Sequence, residues 1–138
     1  MRKANFYLLF KGIEIHQANA ISSPLTYGFP AISGFVGAIH QLSRKMQDSF
    51  PQADLGGVMV SCNHFKVLDN KATIYSDRTF TQTRNPLKKT GETASIIEEG
   101  KIHLDINLVV EVFATEDFRD ELSKKTQADT FCQKLANL

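Results

Sequence analysis

Tryptophan is absent from this 138-residue chain, cysteine is scarce, and neither sign of charge dominates. The two cysteines, Cys62 and Cys132, are too few and too far apart to suggest a disulfide framework, so we expect two reduced cysteines in a cytoplasmic protein. No apolar run approaches the ~20 residues of a membrane span, which predicts no membrane association. The formal net charge of +1 argues against binding of nucleic acid by bulk electrostatics alone, so any RNA contact has to be local or shared with other subunits.

The composition is that of a globular domain, with 42% hydrophobic and 22% charged residues. A chain of this length buries roughly 65–70% of the surface that its unfolded form exposes, which is enough for a core without disulfides. We therefore predict a single domain over residues 1–138.

Hydrophobic periodicity predicts a mixture of strands and helices. The clearest two-residue alternation in the chain runs from Lys101 to Phe113. The predicted elements are, in order, a strand Phe6–His16, a structured loop Ala18–Pro30, a helix from Pro30 to about Ser49, a strand that opens at Gly56-Gly57, a β-rich run Ala72–Thr83, two strands Ala94–Ile97 and Lys101–Phe113 joined as a hairpin at Glu98-Glu99-Gly100, and a helix that begins at Thr115.

This order matches the β-α-β-β-α-β pattern of ferredoxin-like (RRM-like) domains, with the final strand missing. The predicted fold class is therefore α+β: an antiparallel sheet with two helices on one face and an inserted β-hairpin and basic loop over about 72–100. The missing strand would have covered the first strand, whose backbone is then expected to lie at an open edge of the sheet.

No residue pattern indicates catalysis or a metal site. The four histidines lack an H-x3-H or H-E-x-x-H spacing and the cysteines lie too far apart to complete a zinc site, so we expect neither a metal nor a cofactor. Glu98 and Glu99 would point to opposite faces of a strand, which favours a charged turn over acid–base catalysis. An RNA-cleaving enzyme on the same fold would need a group such as His103 or Tyr75 beside a basic loop.

A basic segment is the first candidate for RNA contact. Asn85 adds an amide that can bond a base edge, and such a loop suits contacts with RNA phosphates. An ordinary solvated basic loop is the alternative, and the residues alone leave it open. The segment from Arg78 to Gly91 contains no acidic residue and four cations, which are Arg78, Arg84, Lys88 and Lys89.

The loop that follows the first strand is the second candidate. Its hydroxyl, amide and backbone N–H groups and its aromatic rings are of the kind that bind single-stranded nucleic acid. The alternative is a loop packed onto the core. The side chains concerned are Asn19, Ser22, Ser23, Thr26, Tyr27 and Phe29.

Several blocks of sequence resemble one protein family. They are Asn19–Pro30, then Gly34-Phe35-Val36-Gly37 with His40, then Thr83-Arg84-Asn85-Pro86-Leu87, and finally Glu98-Glu99-Gly100-Lys101 with His103-Leu104. Their order and spacing resemble the N-terminal part of the second Csy subunit, the Cas-five-type member of the RAMP superfamily in subtype I-F CRISPR surveillance complexes. The likeness runs from about Leu9 to the last helix, and the family's proteins are longer than this chain.

The resemblance implies a non-catalytic, RNA-binding protein of antiviral defence. It implies that the chain holds the 5′ handle of the crRNA together with the large Csy subunit, beside a Cas-seven-type backbone subunit, and meets target DNA only through the complex. On this reading the phosphates are bound by Arg84, Lys88 and Lys89, and Asn85 bonds a base edge or a sugar. The residues that bind nucleotides or brace the loop are Asn19, Ser22 and Ser23. The stacking residues are Tyr27 and Phe29, with a place in the core as the alternative for Phe29, and Thr26 and Arg78 contribute further contacts.

A second reading of the chain is a truncated, stand-alone protein-interaction module, or a mimic that takes the subunit's place and interferes with assembly. The module would use its open first-strand edge to extend a partner's sheet. A mimic would be expected to diverge at RNA-contact positions, whereas the blocks Asn19–Pro30 and Thr83–Lys89 are intact, which favours a subunit or its fragment.

Overall fold

The computed structural model describes residues 4–137, which form strands, helices and their connections. In chain order the elements are β1 (Phe6–Asn19), β2 (Ile21–Ser23), β3 (Thr26–Tyr27), α1 (Ile32–Met46), β4 (Ala53–Asn70), β5 (Thr79–Arg84), β6 (Ile96–Glu99), β7 (Lys101–Ala114), α2 (Glu116–Leu122) and α3 (Lys125–Ala136). Five strands form a sheet in the order β1-β7-β4-β5-β6, and β2 and β3 form a separate hairpin. The predicted α+β class is confirmed, and β1 lies at an edge of the sheet, as expected. None of the helices described is long and apolar enough to cross a membrane.

Two compact units share these elements. The helical unit comprises the chain up to Lys11, Ser33–Ser61 and the residues from Asn107 onward, and so includes α2, α3 and nearly all of α1. The hairpin unit comprises Gly12–Ile32 and Cys62–Ile106, and so includes the β2–β3 hairpin, β5 and β6. The single domain expected over residues 1–138 stays a prediction.

Strict alternation along β7 supplies much of the core. A side chain of this kind stabilises the folded state by about 1.5–3 kcal/mol when it leaves water. Because β7 lies between β1 and β4, these side chains make it the central strand of the β1-β7-β4 part of the sheet. The buried side chains are those that the sequence predicts: Ile102, Leu104, Ile106, Leu108, Val110 and Val112.

Three aromatic rings pack together in the helical unit. The ring of Phe50 lies 4.8 Å from that of Phe131 and 5.9 Å from that of Phe118, measured between centroids. Phe118 belongs to α2, whose N-cap is the predicted Thr115: its hydroxyl accepts a hydrogen bond from the Phe118 N–H at 3.4 Å. Phe50 and Phe131 meet edge-to-face, and rings in this arrangement attract one another beyond the area they bury, so the cluster fixes α2 and α3 to the segment that follows α1.

A buried serine joins α1 to β4 within the helical unit. The Ser43 hydroxyl donates to Asp54 Oδ1 at 2.5 Å and accepts from the Leu55 N–H at 3.1 Å. Ser43 is the buried polar residue of α1, and it satisfies a main-chain donor at the start of β4 that water does not reach.

Replacing Ser43 with alanine should therefore lower the free energy of unfolding by about 1–3 kcal/mol, because the Leu55 N–H would stay buried without an acceptor. Urea denaturation measures the change. The matched control is Ser49→Ala, at an exposed serine just past the same helix, which should change stability by less than ~0.5 kcal/mol. Equal effects of the two substitutions would contradict the role given to Ser43.

β1 runs to Asn19, beyond the predicted end at His16, and its backbone is irregular at two residues. Gly12 and Gln17 have positive φ values of 64° and 55°. The half-buried side chains are Phe6, Leu8 and Phe10 before Gly12, and Ile13 and Ile15 after it, so the inward phase shifts by one residue at Gly12. A residue inserted in this way is a β-bulge, which bends a strand and lets it continue.

The predicted hairpin between Ala94–Ile97 and Lys101–Phe113 is wrong. β6 pairs antiparallel with β5, not with β7, and their register places Thr81 opposite Glu99. The physical reason is that Gly100 alone separates β6 from β7, whereas the tightest common β-hairpin needs a two-residue turn. The chain therefore passes from one neighbour to another at Gly100.

Three other boundaries differ from expectation. The helix predicted from Thr115 is divided at Ser123 and Lys124 into α2 and α3, so three helices replace the predicted two. Within α3, Phe131 is buried and the neighbouring Cys132 is exposed. The loop Ala18–Pro30 contains the β2–β3 hairpin. β4 continues to Asn70, and its last two residues, Asp69 and Asn70, pair with Phe80 and Thr79 of β5.

Candidate nucleic-acid interface

Every predicted RNA-binding residue lies in the hairpin unit, although the two blocks are far apart in sequence. These residues are Asn19, Ser22, Ser23, Thr26 and Tyr27 from the first block, and Arg78, Arg84, Asn85, Lys88 and Lys89 from the second. All ten are exposed to solvent, so the chemistry that the sequence predicts is available at the surface of one unit.

Hydroxyl groups brace the β2–β3 hairpin. The Thr26 Oγ1 atom lies 2.7 Å from the Oγ atoms of both Ser22 and Ser23, and Ser23 Oγ also accepts from the Leu25 N–H at 3.3 Å. Asn19 Oδ1 accepts from the Ile21 N–H at 3.0 Å, as in an Asx-turn. These hydrogen bonds brace the hairpin, and the RNA contact expected of the same side chains stays a prediction. Each hydroxyl has two lone pairs, which leaves acceptor capacity for a ligand.

Tyr27 packs against Phe80 of β5, a contact that the sequence alone did not predict. Its ring centroid lies 5.0 Å from that of Phe80 on β5, with the planes tilted by 54°, and the residue is 48% exposed. A Cβ atom at Gly100 would lie 2.9 Å from both Tyr27 Cε2 and Ile21 Cγ1. Glycine at this position leaves room for the ring, so one side of Tyr27 is supported and the other faces solvent.

A groove of ≈ 330 Å³ adjoins the two rings. Arg78 pairs with the Asp69 carboxylate at its edge. The guanidinium is therefore held by a neighbour and still exposes most of its surface. The groove combines an aromatic surface, a cation and an acceptor, and its lining residues are Tyr27, Val67, Asp69, Arg78, Thr79 and Phe80.

The basic loop has a defined shape and uneven charge. Its turn is closed by hydrogen bonds from the Lys88 N–H to the Glu92 carbonyl (3.0 Å) and from the Gly91 N–H to the Lys88 carbonyl (2.9 Å). Lys88 Nζ also lies 3.5 Å from a Glu92 carboxylate oxygen, an acid that follows the segment the sequence marks as acid-free. Within residues 4–137, Arg84 and Lys89 form no ion pair, so they are the cations of this loop best placed to meet phosphate.

Glu99 is held by two neighbours on the other side of β5. Its carboxylate accepts from Thr83 Oγ1 at 2.8 Å and lies 3.1 Å from Lys101 Nζ. The Thr83 hydrogen bond first, and then Lys101, lower the pKa of Glu99 below its ordinary value of 4.5. Glu98 and Glu99 are consecutive residues of β6, so they face opposite sides and do not converge on one bond, as predicted.

Titration of Glu99 by carboxyl-detected NMR should give a pKa below 4.5. A group whose folded pKa is lowered contributes stability above its unfolded pKa and loses it as the pH falls through the folded pKa, so the Thr83–Glu99–Lys101 link should persist at pH 4.5 and break only in more acidic solution. Thr83→Val should raise this pKa towards its ordinary value. A Glu99 pKa at or above 4.5 in the unmodified chain would contradict the geometry.

Three histidines meet at another depression of the hairpin unit. His16 and His103 have ring centroids 5.1 Å apart, and His64 lines the same depression together with Glu14. His103 Nδ1 accepts from the Gln17 N–H at 3.1 Å, which supports the positive-φ residue of β1. In the part of the chain that the structure describes, no three His, Cys, Asp or Glu side chains are arranged to hold a metal ion.

One pattern in the sequence predicts part of this surface, the two-residue spacing of polar and aromatic side chains that ends at Arg84. Arg78, Phe80, Gln82 and Arg84 are spaced two residues apart, and β5 makes that spacing a single face. Phe80 and Asp69 are neighbours of Tyr27 and Arg78 because β4 pairs with β5. No local pattern of sequence specifies that pairing.

The fold is that of an α+β protein with an antiparallel sheet. The ten candidate RNA-binding residues, which are exposed cations, amides, hydroxyls and an aromatic ring, lie in its hairpin unit. The family model described as CRISPR-associated protein (Cas_Csy2) matches residues 8–138. The chain is 36% identical over 132 residues to the CRISPR-associated protein Csy2 of Pseudomonas aeruginosa (strain UCBPP-PA14), an alignment that covers 94% of this chain and 40% of that relative. The chain therefore belongs to the Csy2 family of CRISPR-associated proteins, as its sequence blocks predict, and it spans about 40% of the length of this curated relative.

Proposed function

We propose that the chain serves as a non-catalytic part of a type I-F CRISPR guide-RNA complex and binds the 5′ handle of the crRNA together with the large Csy subunit. Family membership supports the assignment to the Csy system. The observation that carries RNA binding is the grouping of the ten candidate residues in the hairpin unit, with Arg84 and Lys89 exposed and without carboxylate partners in the described chain.

The candidate residues divide into three roles in this proposal. Arg84 and Lys89 bind phosphates, and Lys88 contributes less because Glu92 competes for it. Tyr27 stacks a base on the side of its ring that faces solvent, with Arg78 beside it. Asn85 bonds a base edge or a sugar. Asn19, Ser22, Ser23 and Thr26 hold the hairpin in shape, and their amide and hydroxyl groups contact the backbone of the RNA.

We further propose a ferredoxin-like arrangement for the sheet. Its order β1-β7-β4 corresponds to the first, third and second strands of that fold, and β1 has one strand neighbour. The partners in this proposal are the crRNA handle, the large Csy subunit and a Cas-seven-type backbone subunit, in the cytoplasm, with target DNA reached only through the complex.

The test is assembly from purified parts. The chain is mixed with a repeat-derived guide RNA, with and without the large Csy subunit, and RNA retention is followed by size-exclusion chromatography. We expect a ternary complex in which the 5′ end of the RNA resists exonuclease. A chain that binds the large subunit and excludes the RNA would contradict the proposal.

A protein-interaction module is the second candidate, and one observation favours it. β1 is an edge strand, so the backbone groups on its outer side are available to a strand from a partner. The bulges at Gly12 and Gln17 interrupt this edge and leave Phe6–Lys11 as its longest regular stretch. Binding of the large subunit without RNA, abolished by Leu9→Pro on this edge, would support the module over the RNA-binding subunit.

A further inference from the structure

One face of β5 carries an ordered set of polar and aromatic side chains. Phe80, Gln82 and Arg84 alternate with Thr81 and Thr83, and the two threonines bond elsewhere, to the Leu68 carbonyl and to Glu99. Arg78 precedes the strand by one residue and lines the same groove as Phe80. At 3.4 Å per residue, the set Arg78, Phe80, Gln82 and Arg84 extends over about 20 Å with a repeat of about 6.8 Å.

Neighbouring strands add two carboxylates to this face. Asp69 of β4 lies opposite Phe80, and Glu98 of β6 lies opposite Gln82. Residues directly opposite in adjacent strands share a face. Exposed Ile96, opposite Arg84, completes it. We call this surface the β5 face, and it consists of Asp69, Arg78, Phe80, Gln82, Arg84, Ile96 and Glu98.

We propose that the β5 face is a track for single-stranded RNA, on which one base stacks against Tyr27 and Phe80 while Arg78 and Arg84 bind phosphates on either side of it. This deepens the proposed function and rests on it, because it states how part of the RNA would lie and adds Phe80, Gln82, Asp69 and Glu98 to the site. The two arginines stand at opposite ends of the track, and the aromatic pair and Gln82 lie between them.

The two carboxylates decide what kind of base the track accepts. A carboxylate repels phosphate and accepts hydrogen bonds only, so on an RNA-binding surface it suits a base amino group or a 2′-hydroxyl. Asp69 already orients the Arg78 guanidinium and lies beside the stacking rings. A base with an exocyclic amino group, such as cytosine, is therefore preferred next to Asp69, and uracil, which has none, is disfavoured.

Single-stranded RNA fits this surface better than a duplex does. In an RNA duplex the bases are stacked on one another, and the amino group of cytosine lies in a deep, narrow major groove that side chains cannot enter, so neither stacking on Tyr27 nor this contact with Asp69 is available. A protein partner would also use an aromatic and charged surface, and the test below separates it.

The test measures binding of fluorescent oligocytidine and oligouridine, and of RNA with the 5′ handle sequence, by anisotropy with the full chain, alone and with the large Csy subunit. Phe80→Leu keeps an apolar side chain and removes the stacking ring. It should weaken binding by about 5- to 100-fold, as should Tyr27→Leu. The control is Tyr7→Leu, an exposed aromatic residue of the helical unit, which should leave affinity unchanged. Melting temperatures of all variants verify folding.

Asp69→Asn tests base reading through the preference for oligocytidine over oligouridine, a ratio that a purely structural role of Asp69 would leave unchanged. The unmodified chain should prefer oligocytidine to oligouridine by about fivefold or more. With Asp69→Asn the preference should shrink, while oligouridine binding stays equal or tightens because a negative charge has left the track. Loss of affinity for both oligomers in equal proportion would overturn the base-reading role of Asp69.

Three results would overturn the track. If handle RNA binds and Arg84→Ala weakens it, but Phe80→Leu and Tyr27→Leu bind within twofold of the unmodified chain, the proposed function stands and the track is wrong. If Phe80→Leu abolishes binding of the large Csy subunit in the absence of RNA, the β5 face is a protein interface. If no RNA binds the unmodified chain, alone or with the large subunit, both the track and the proposed function are wrong.

Discussion

Replacing Phe131 with alanine is expected to lower the free energy of unfolding by about 3–5 kcal/mol, the largest stability loss among the substitutions considered. Phe131 is 4% exposed and packs its ring edge against Phe50 at 4.8 Å. It also lines an apolar cavity of ≈ 170 Å³ beside β1 and β7. Removal of the ring would merge the new void with this cavity, and a larger residual cavity costs more. Urea denaturation followed by circular dichroism measures the loss.

Phe65→Ala is the matched control, because Phe65 is 60% exposed on β4 and its removal leaves no buried void. Its effect should stay below about 1 kcal/mol. Comparable losses for the two substitutions would mean that the aromatic cluster of the helical unit is not a core.

Removal of both unpaired cations of the basic loop, Arg84 and Lys89, should change the salt dependence of RNA binding more than removal of two cations outside the candidate interface. Each phosphate contact contributes about 0.7 to the slope of log affinity against log salt for a single strand. The double variant Arg84→Ala with Lys89→Ala should therefore reduce the slope for handle RNA by about 1.4. Lys88→Ala should reduce it less, because Glu92 already lies 3.5 Å from the Lys88 Nζ atom.

The control for this experiment removes the same charge from the helical unit. Arg44→Ala with Lys125→Ala takes two exposed cations from α1 and α3, and the slope should then stay unchanged. If the two double variants reduce the slope equally, the RNA is attracted by net charge and not by the basic loop.

Local patterns of sequence were sufficient to predict the elements with the strongest periodicity. β7 alternates without interruption, so its buried face follows from the two-residue period of a strand. Thr115 was predicted as a cap because a hydroxyl can bond the free N–H groups of a first turn. β1 could be predicted only as far as His16, because the alternation of half-buried and exposed side chains breaks at Gln17, which has a positive φ.

Pairing between distant strands was the part that could not be predicted. The residues of β6 do not by themselves specify pairing with β5 over pairing with β7, because their alternation is compatible with either neighbour. The ten candidate RNA-binding residues follow from side-chain chemistry and from the blocks of sequence in which they lie. Their neighbours Asp69 and Phe80 do not, because only the β4–β5 register places these two residues beside them. Glu92 lies one residue past the segment read as acid-free, and the turn at Gly91 brings it to Lys88.

The central claim is that the hairpin unit holds single-stranded guide RNA. Its most direct test is photo-crosslinking of handle RNA that contains 4-thiouridine at successive positions, in complex with the chain and the large Csy subunit, followed by mass spectrometry of the crosslinked peptides. The account predicts crosslinks within Gly12–Ile32 and Cys62–Ile106, concentrated near Tyr27, Phe80 and the basic loop. Crosslinks confined to α1, α2 and α3, or to the large subunit alone, would contradict it.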